Sequence, residues 1–106
     1  MKFKKVFKKE DGTRYELTLK ITSSFGLDKM TVDYEVDKCP NGKRKFVCIT
    51  DHMDDYSFRK LSLGERPSYK INKLKEENIP DEWWKELISE ALDEMKAIMV
   101  ECLKLK

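Results

Sequence analysis

The stretch FKKEDGTRYELTLKIT, residues 7–22, carries a turn signal and a strand signal in direct succession. Tyr15, Leu17, Leu19 and Ile21 alternate with polar residues, the period-two pattern of a strand with one buried face. Met1, Phe3 and Phe7 recur at even spacing ahead of it, so a first strand is expected on the other side of Glu10-Asp11-Gly12. Loop length then decides which side chains meet, because a slip of one residue turns every side chain to the opposite face. A two-residue Asp-Gly loop sets Phe7 opposite Glu16. A three-residue loop, with Gly12 in the left-handed conformation, sets Phe7 opposite Tyr15 and Phe3 opposite Leu19. Only the second pairs apolar with apolar, and it is the register expected here.

Working outward, KMTVDYEVDK, residues 29–38, repeats the alternation with Met30, Val32, Tyr34 and Val36. Pro40-Asn41-Gly42 turns the chain into KRKFVCIT, residues 43–50, which has Phe46 and Cys48 on one face and Val47 and Ile49 on the other. Apolar residues on both faces suggest a central strand, or one whose second face is partly covered. A three-residue loop would set Phe46, Cys48 and Thr50 on the face of Val36, Tyr34 and Val32. A two-residue Asn-Gly loop would give that face to Val47 and Ile49. Residues 56–74, YSFRKLSLGERPSYKINKL, carry aromatic side chains near both ends and a β-branched one, Ile71. Tyr56 and Phe58 on one side and Tyr69 and Ile71 on the other point to a third hairpin around GERP, with a short helix at either end as the alternative.

Residues 80–104 read as one long helix. Asn78 and Pro80 mark its start, and Asp81 and Glu82 suit the positive end of the helix dipole. Trp84, Ile88, Ala91, Met95, Ile98 and Cys102 follow in steps of three and four, widened by Leu87, Leu92, Met99, Leu103 and Leu105. The resulting apolar arc of roughly 200° exceeds the ~100° a helix needs to rest on one surface. Such a helix runs about 36 Å and an eight-residue strand about 26 Å, so an apolar overhang near Val100 to Leu105 is expected. The fold class is therefore α+β: an antiparallel sheet of four to six strands with one long C-terminal amphipathic helix on one face. The 106 residues form a single domain, sheet about 1–74 and helix about 80–104.

Composition narrows the function. No apolar run approaches the ~18 residues of a membrane span, the start has no signal-peptide core, and three cysteines without paired spacing fit a reducing compartment. A cytoplasmic protein is expected. Its lysine-rich, alanine-poor make-up suits a small accessory or inhibitory protein of the phage or mobile-element kind. There is no phosphate loop, dinucleotide fingerprint, nucleophile elbow or HExxH, and 4 glycines are too few for a cofactor cradle. The expectation is a protein without catalytic residues or cofactors.

Three sets of residues remain as candidates. The first is a surface for a protein partner or a second copy, formed by Trp83, Leu87, Val100, Leu103 and Leu105. An exposed tryptophan and an over-wide helix stripe are typical of such surfaces. The second is an electrostatic nucleic-acid surface, Lys4, Lys5, Lys8, Lys9, Lys43, Arg44 and Lys45. Residues 1–50 hold 12 Lys and Arg against 7 Asp and Glu, and residues 51–106 hold 10 against 13. Yet only 4 of 22 basic residues are Arg, the side chain favoured for base readout. A lysine-rich strand that protects a sheet edge is the simpler alternative. The third is a metal-dependent centre at Asp51, His52 and Asp54, close to Cys48. One histidine is too few for a two-histidine iron site, and Cys48 and His52 would lie ~13 Å apart on an extended strand. Protein binding is the leading expectation.

Overall fold

The computed structural model describes the backbone of residues 1–24, 29–50, 56–68 and 72–104, and the side chains of 1–22, 31–50, 56–68 and 74–97. Four strands, β1 (Lys2–Lys8), β2 (Arg14–Ser24), β3 (Lys29–Cys39) and β4 (Val47–Cys48), form one antiparallel sheet in chain order. Two short helices follow, α1 (Phe58–Ser62) and α2 (Asn72–Glu76), and then α3 (Asp81–Lys104). The α+β arrangement expected from the sequence is present, with four strands among the described residues.

The first hairpin has the expected register. Phe7 lies opposite Tyr15 and Phe3 opposite Leu19. Lys9 N–H donates to the Thr13 carbonyl at 2.8 Å, closing a three-residue loop in which Gly12 has φ 91°. Asp11 Oδ1 accepts from Thr13 N–H at 2.9 Å. That backbone bond comes first among the causes that hold the Asp11 carboxyl below its ordinary value.

The second hairpin departs from both expected registers. Val47 lies opposite Lys38, Cys48 opposite Asp37, and Ile49 N–H donates to Val36 C=O at 2.9 Å. Ile49 thus shares the inner face, the parity of the two-residue loop, but the pairing has slid by two residues. A tight turn does form at Pro40–Lys43, where Lys43 N–H donates to Pro40 C=O at 3.0 Å and Gly42 has φ 84°, but residues 44–46 beyond it join no ladder. Arg14 holds them: its guanidinium lies 5.4 Å from the Phe46 ring centroid and donates to Lys43 C=O at 3.5 Å. Phe46 therefore stacks on Arg14 and takes no place in the strand ladder. Among the described residues β4 is a two-residue edge strand, not the central strand its two apolar faces suggested, and Val47 is 61% exposed.

Among the described residues of 56–74 there is a short helix at either end, the alternative reading, while Tyr69 and Ile71 of the expected third hairpin lie outside the described residues. Ser57 caps α1, its Oγ accepting from Lys60 N–H at 3.2 Å. Five-residue helices have no stability of their own. What holds them is the burial of Leu61 and Leu74, both about fully enclosed in the core. Each such side chain contributes roughly 1.5–3 kcal/mol when removed from water.

Tyr15, Leu17, Leu19 and Ile21 of β2 and Val32, Tyr34 and Val36 of β3 form the floor of that core. Trp84, Leu87, Ile88, Ala91 and Met95 of α3 cover it, with Leu61, Leu74 and Ile79 closing the side. Trp84 meets Tyr34 edge to face at 5.7 Å. The wide apolar arc in the first half of α3 is thus satisfied within the chain. β2 and β3 have 11 residues each, about 36 Å, the same length as the 24 residues of α3; the side chains of the overhang expected near Val100 to Leu105 lie outside the described residues.

One polar tie fixes α2 to the sheet. Glu77, just beyond α2, accepts from Tyr15 Oη at 2.6 Å and from Lys38 Nζ at 2.9 Å, while its carbonyl accepts from Lys9 Nζ. Lys38 occupies an inner-face position of β3 because this carboxylate is there to meet it.

Candidate functional site

Antiparallel ladders alternate between pairs that exchange hydrogen bonds and pairs that do not. In the β1–β2 ladder the exchanging pairs are the odd residues of β1. Ile21 N–H donates to Met1 C=O at 2.8 Å, and Lys9 N–H to Thr13 C=O at 2.8 Å. The N–H and C=O groups of Lys2, Lys4, Val6 and Lys8 therefore point away from β2. Among the described residues no strand lies against that side. β1 presents a seven-residue edge, without proline or bulge, whose outward backbone groups and outer-face side chains belong to the same four residues. Val6 is 49% exposed at its centre.

The inner side of the same edge is an apolar seam. Phe3 and Phe7 are half-buried, and Trp83 lies flat on Phe7 with centroids 4.9 Å apart and planes 10° from parallel. Trp83 also contacts Tyr15 at 5.9 Å. Between the two phenylalanines Lys5 reaches α3, with Nζ 2.8 Å from Glu86 Oε1 and 2.6 Å from Glu90 Oε1. Glu86 and Glu90 are four apart on the helix and so share a face. Their hydrogen bonds raise the Lys5 pKa above its ordinary value.

The residues singled out from sequence are distributed as follows. Trp83 is half-buried against its own sheet, and Leu87 is 1% exposed, inside the core. Leu87 therefore offers no surface to a partner in this structure. Val100 and Leu103 are on α3, where only the backbone is described, and Leu105 lies outside the described residues. The seven basic residues do not form one patch. Lys5 and Lys9 turn inward, to Glu86 and Glu90 and to Glu77. Lys4 is 3.7 Å from Glu16, Lys8 is exposed on the outer face, and Lys43, Arg44 and Lys45 are exposed in the loop after β3. The outer face is basic along β1 and acidic along β3, where Asp33, Glu35 and Asp37 follow one another.

Asp51, His52 and Asp54 lie outside the described residues. Among the described residues, Glu35, Asp37 and Cys48 bring two carboxylate oxygens and a thiol within 4.8 Å on the outer face. Burial, followed by the neighbouring Glu35 charge, pushes the Asp37 pKa above its ordinary value. Oxygen and sulfur donors in this arrangement are of the kind that a divalent ion accepts. Sequence reasoning could not assemble this group, because it depends on the slid register that sets Cys48 beside Asp37. The β1 edge was within reach of sequence: a three-residue loop makes Lys9 and Thr13 the closing hydrogen-bonded pair, and that fixes the even residues as outward-facing.

No helix among the described residues is long and apolar enough to cross a membrane. Comparison with protein-family models, with curated proteins and with solved structures returned no match, so the functional reading rests on this chain's own geometry.

Proposed function

We propose that the protein is a non-catalytic protein-binding module whose partner docks along the β1 edge. The observation that carries this reading is the row of outward N–H and C=O groups on Lys2, Lys4, Val6 and Lys8, flanked by the half-buried Phe3, Phe7 and Trp83. A free edge is a template for another strand, and main-chain hydrogen bonding along it is a recurrent mode of protein recognition. The reading moves the interface from the helix stripe, whose first half is buried, to the seam where α3 meets β1.

The same edge disfavours a second copy of this chain. A two-fold pairing of β1 with β1 matches even residues with even residues. Lys2 then faces Lys8, or Lys4 faces Lys4, and like charges directly opposite are destabilising. Nucleic acid is disfavoured by the inward turn of Lys5 and Lys9 and by the acidic row on β3. The outer face also has no aromatic side chain among its described strand residues for bases to stack upon.

Val6→Pro tests the proposal. It removes an outward N–H and no β1–β2 hydrogen bond, a position that proline tolerates on an edge strand. Wild type and Val6→Pro, shown to melt within a few degrees of each other, are used side by side as affinity baits. Proteins retained by wild type and lost with Val6→Pro are the expected result. Equal retention of every captured protein by both baits refutes the β1 edge as the interface.

A further inference from the structure

We propose that the β1 edge selects an extended acidic peptide segment, added antiparallel as a fifth strand, with carboxylates on the outer face and apolar side chains on the inner. This rests on the docking edge proposed above and adds the chemistry of its partner. In an antiparallel addition, the partner residues directly opposite Lys2, Lys4, Val6 and Lys8 exchange hydrogen bonds with them and point to the same outer face. Three of those four positions are lysines, and no acidic residue lies on β1 itself. Lys4 is half-exposed beside Glu16, which leaves one side of its ammonium open to a second carboxylate.

The inner face imposes the opposite requirement. Partner residues opposite Phe3 and Phe7 come down beside the half-buried seam, where apolar side chains complete the covering of Trp83. The residue opposite Lys5 approaches Glu86 and Glu90, which already neutralise that lysine, so a carboxylate there is repelled. Acids on one face and apolar groups on the other give an alternating sequence, with a β-branched residue opposite Val6. The lysines that keep two copies of β1 apart thereby favour one class of partner and reject another, specificity through attraction and repulsion together.

The probes are three: a synthetic peptide alternating glutamate with valine and leucine, the same peptide with lysine in place of glutamate, and a single-stranded DNA oligonucleotide. Each is titrated into the 106-residue chain, with affinity read by calorimetry and amide exchange read by NMR. The expected result is binding of the acidic peptide, slowed exchange at Lys2, Lys4, Val6 and Lys8, and unchanged exchange at Phe3, Lys5 and Phe7, which β2 already protects. Cross-strand ion pairs of this kind make the Lys2→Glu/Lys8→Glu double variant bind the acidic peptide roughly tenfold more weakly. The preference for the lysine peptide should then rise. If the lysine peptide binds wild type as well as the acidic one, with protection at the same four amides, the acidic partner is refuted and the docking edge stands. If only the oligonucleotide binds, or if no peptide protects those amides, both the partner class and the edge are refuted.

Discussion

Replacing Glu77 by Gln should separate the charge of the polar tie from its shape. The carboxylate accepts from Tyr15 at 2.6 Å and pairs with Lys38 at 2.9 Å, and its side chain is 16% exposed. A hydrogen bond to a charged group contributes about 1.5–3 kcal/mol and a neutral one about 1 kcal/mol. Glutamine keeps one neutral bond to Tyr15, so about 1 kcal/mol is lost there. The pair with Lys38, whose side chain is 31% exposed, adds at most ~1 kcal/mol. The bond from Lys9 goes to the Glu77 backbone carbonyl and is not touched. A loss of about 1–2 kcal/mol at pH 7 follows, which lowers the melting temperature by about 4–8 °C in a domain of this size. Burial pushes the Glu77 pKa up, but the Tyr15 hydroxyl and the Lys38 ammonium outweigh it and hold it below the ordinary 4.5. A depressed carboxyl pKa stabilises above its unfolded value and stops doing so as pH falls through the folded value. The gap between wild type and Glu77→Gln should therefore be full at pH 7 and narrow as pH falls below 4.5 and through the lower folded value. Urea titrations followed by tryptophan fluorescence from pH 7 to pH 3 measure it. A gap that is absent at pH 7, or that persists unchanged at pH 3, refutes the reasoning.

The tie has an alkaline counterpart. Burial, then the bond to Glu77, raises the Tyr15 pKa above 10.0, so its contribution is complete below the ordinary tyrosine value and is lost as pH rises through the higher folded one; Tyr15→Phe should erase that alkaline loss in urea titrations. Trp84→Ala, at a fully enclosed site, should cost about 3–5 kcal/mol, whereas Trp83→Ala loses a partly exposed stack worth about 0.5–1.5 kcal/mol beyond its buried area; urea midpoints should rank them in that order. Gly12→Ala and Gly42→Ala both force a side chain into a left-handed conformation at about 1 kcal/mol or more, but only at Gly12 would the new Cβ also meet Asn41, at 2.7 Å. Gly12→Ala should melt lower than Gly42→Ala, and an Asn41→Ala background should bring the two together. Cys48 is exposed and Cys39 buried, so brief alkylation of the folded chain should label Cys48 well ahead of Cys39 in a peptide map.

Much of the fold was legible because it depends on neighbours in the chain. The alternation of Tyr15, Leu17, Leu19 and Ile21 fixes the face, and a glycine three residues into a turn fixes the loop. Together they set the register of β1 on β2 and which backbone groups face outward. The start of α3 followed equally from Asn78, Pro80 and the acids at 81 and 82. The outcomes that sequence missed all depend on partners distant along the chain. Pro40-Asn41-Gly42 makes the turn it signals, yet Arg14, 32 residues before Phe46, stacks on that ring, and the two strands pair only from Lys38 and Val47. In that register Cys48 comes to lie beside Asp37.

The short helices make the same point in residues 56–74. Tyr56, Phe58, Tyr69 and Ile71 suggest strands, but α1 (FRKLS) and α2 (NKLKE) hold mostly helix-forming residues and no β-branched one, and each buries a leucine, Leu61 and Leu74, in the core. The candidate site divides in the same way. Which residues of β1 face outward follows from local periodicity and loop length. That Trp83 lies on Phe7, that Lys5 is claimed by Glu86 and Glu90, and that Leu87 is buried follow only from α3 crossing back over the first strand. Alternation and turn chemistry act between residues a few positions apart, while the packing that selects among compatible registers acts between residues brought together only when the chain has folded.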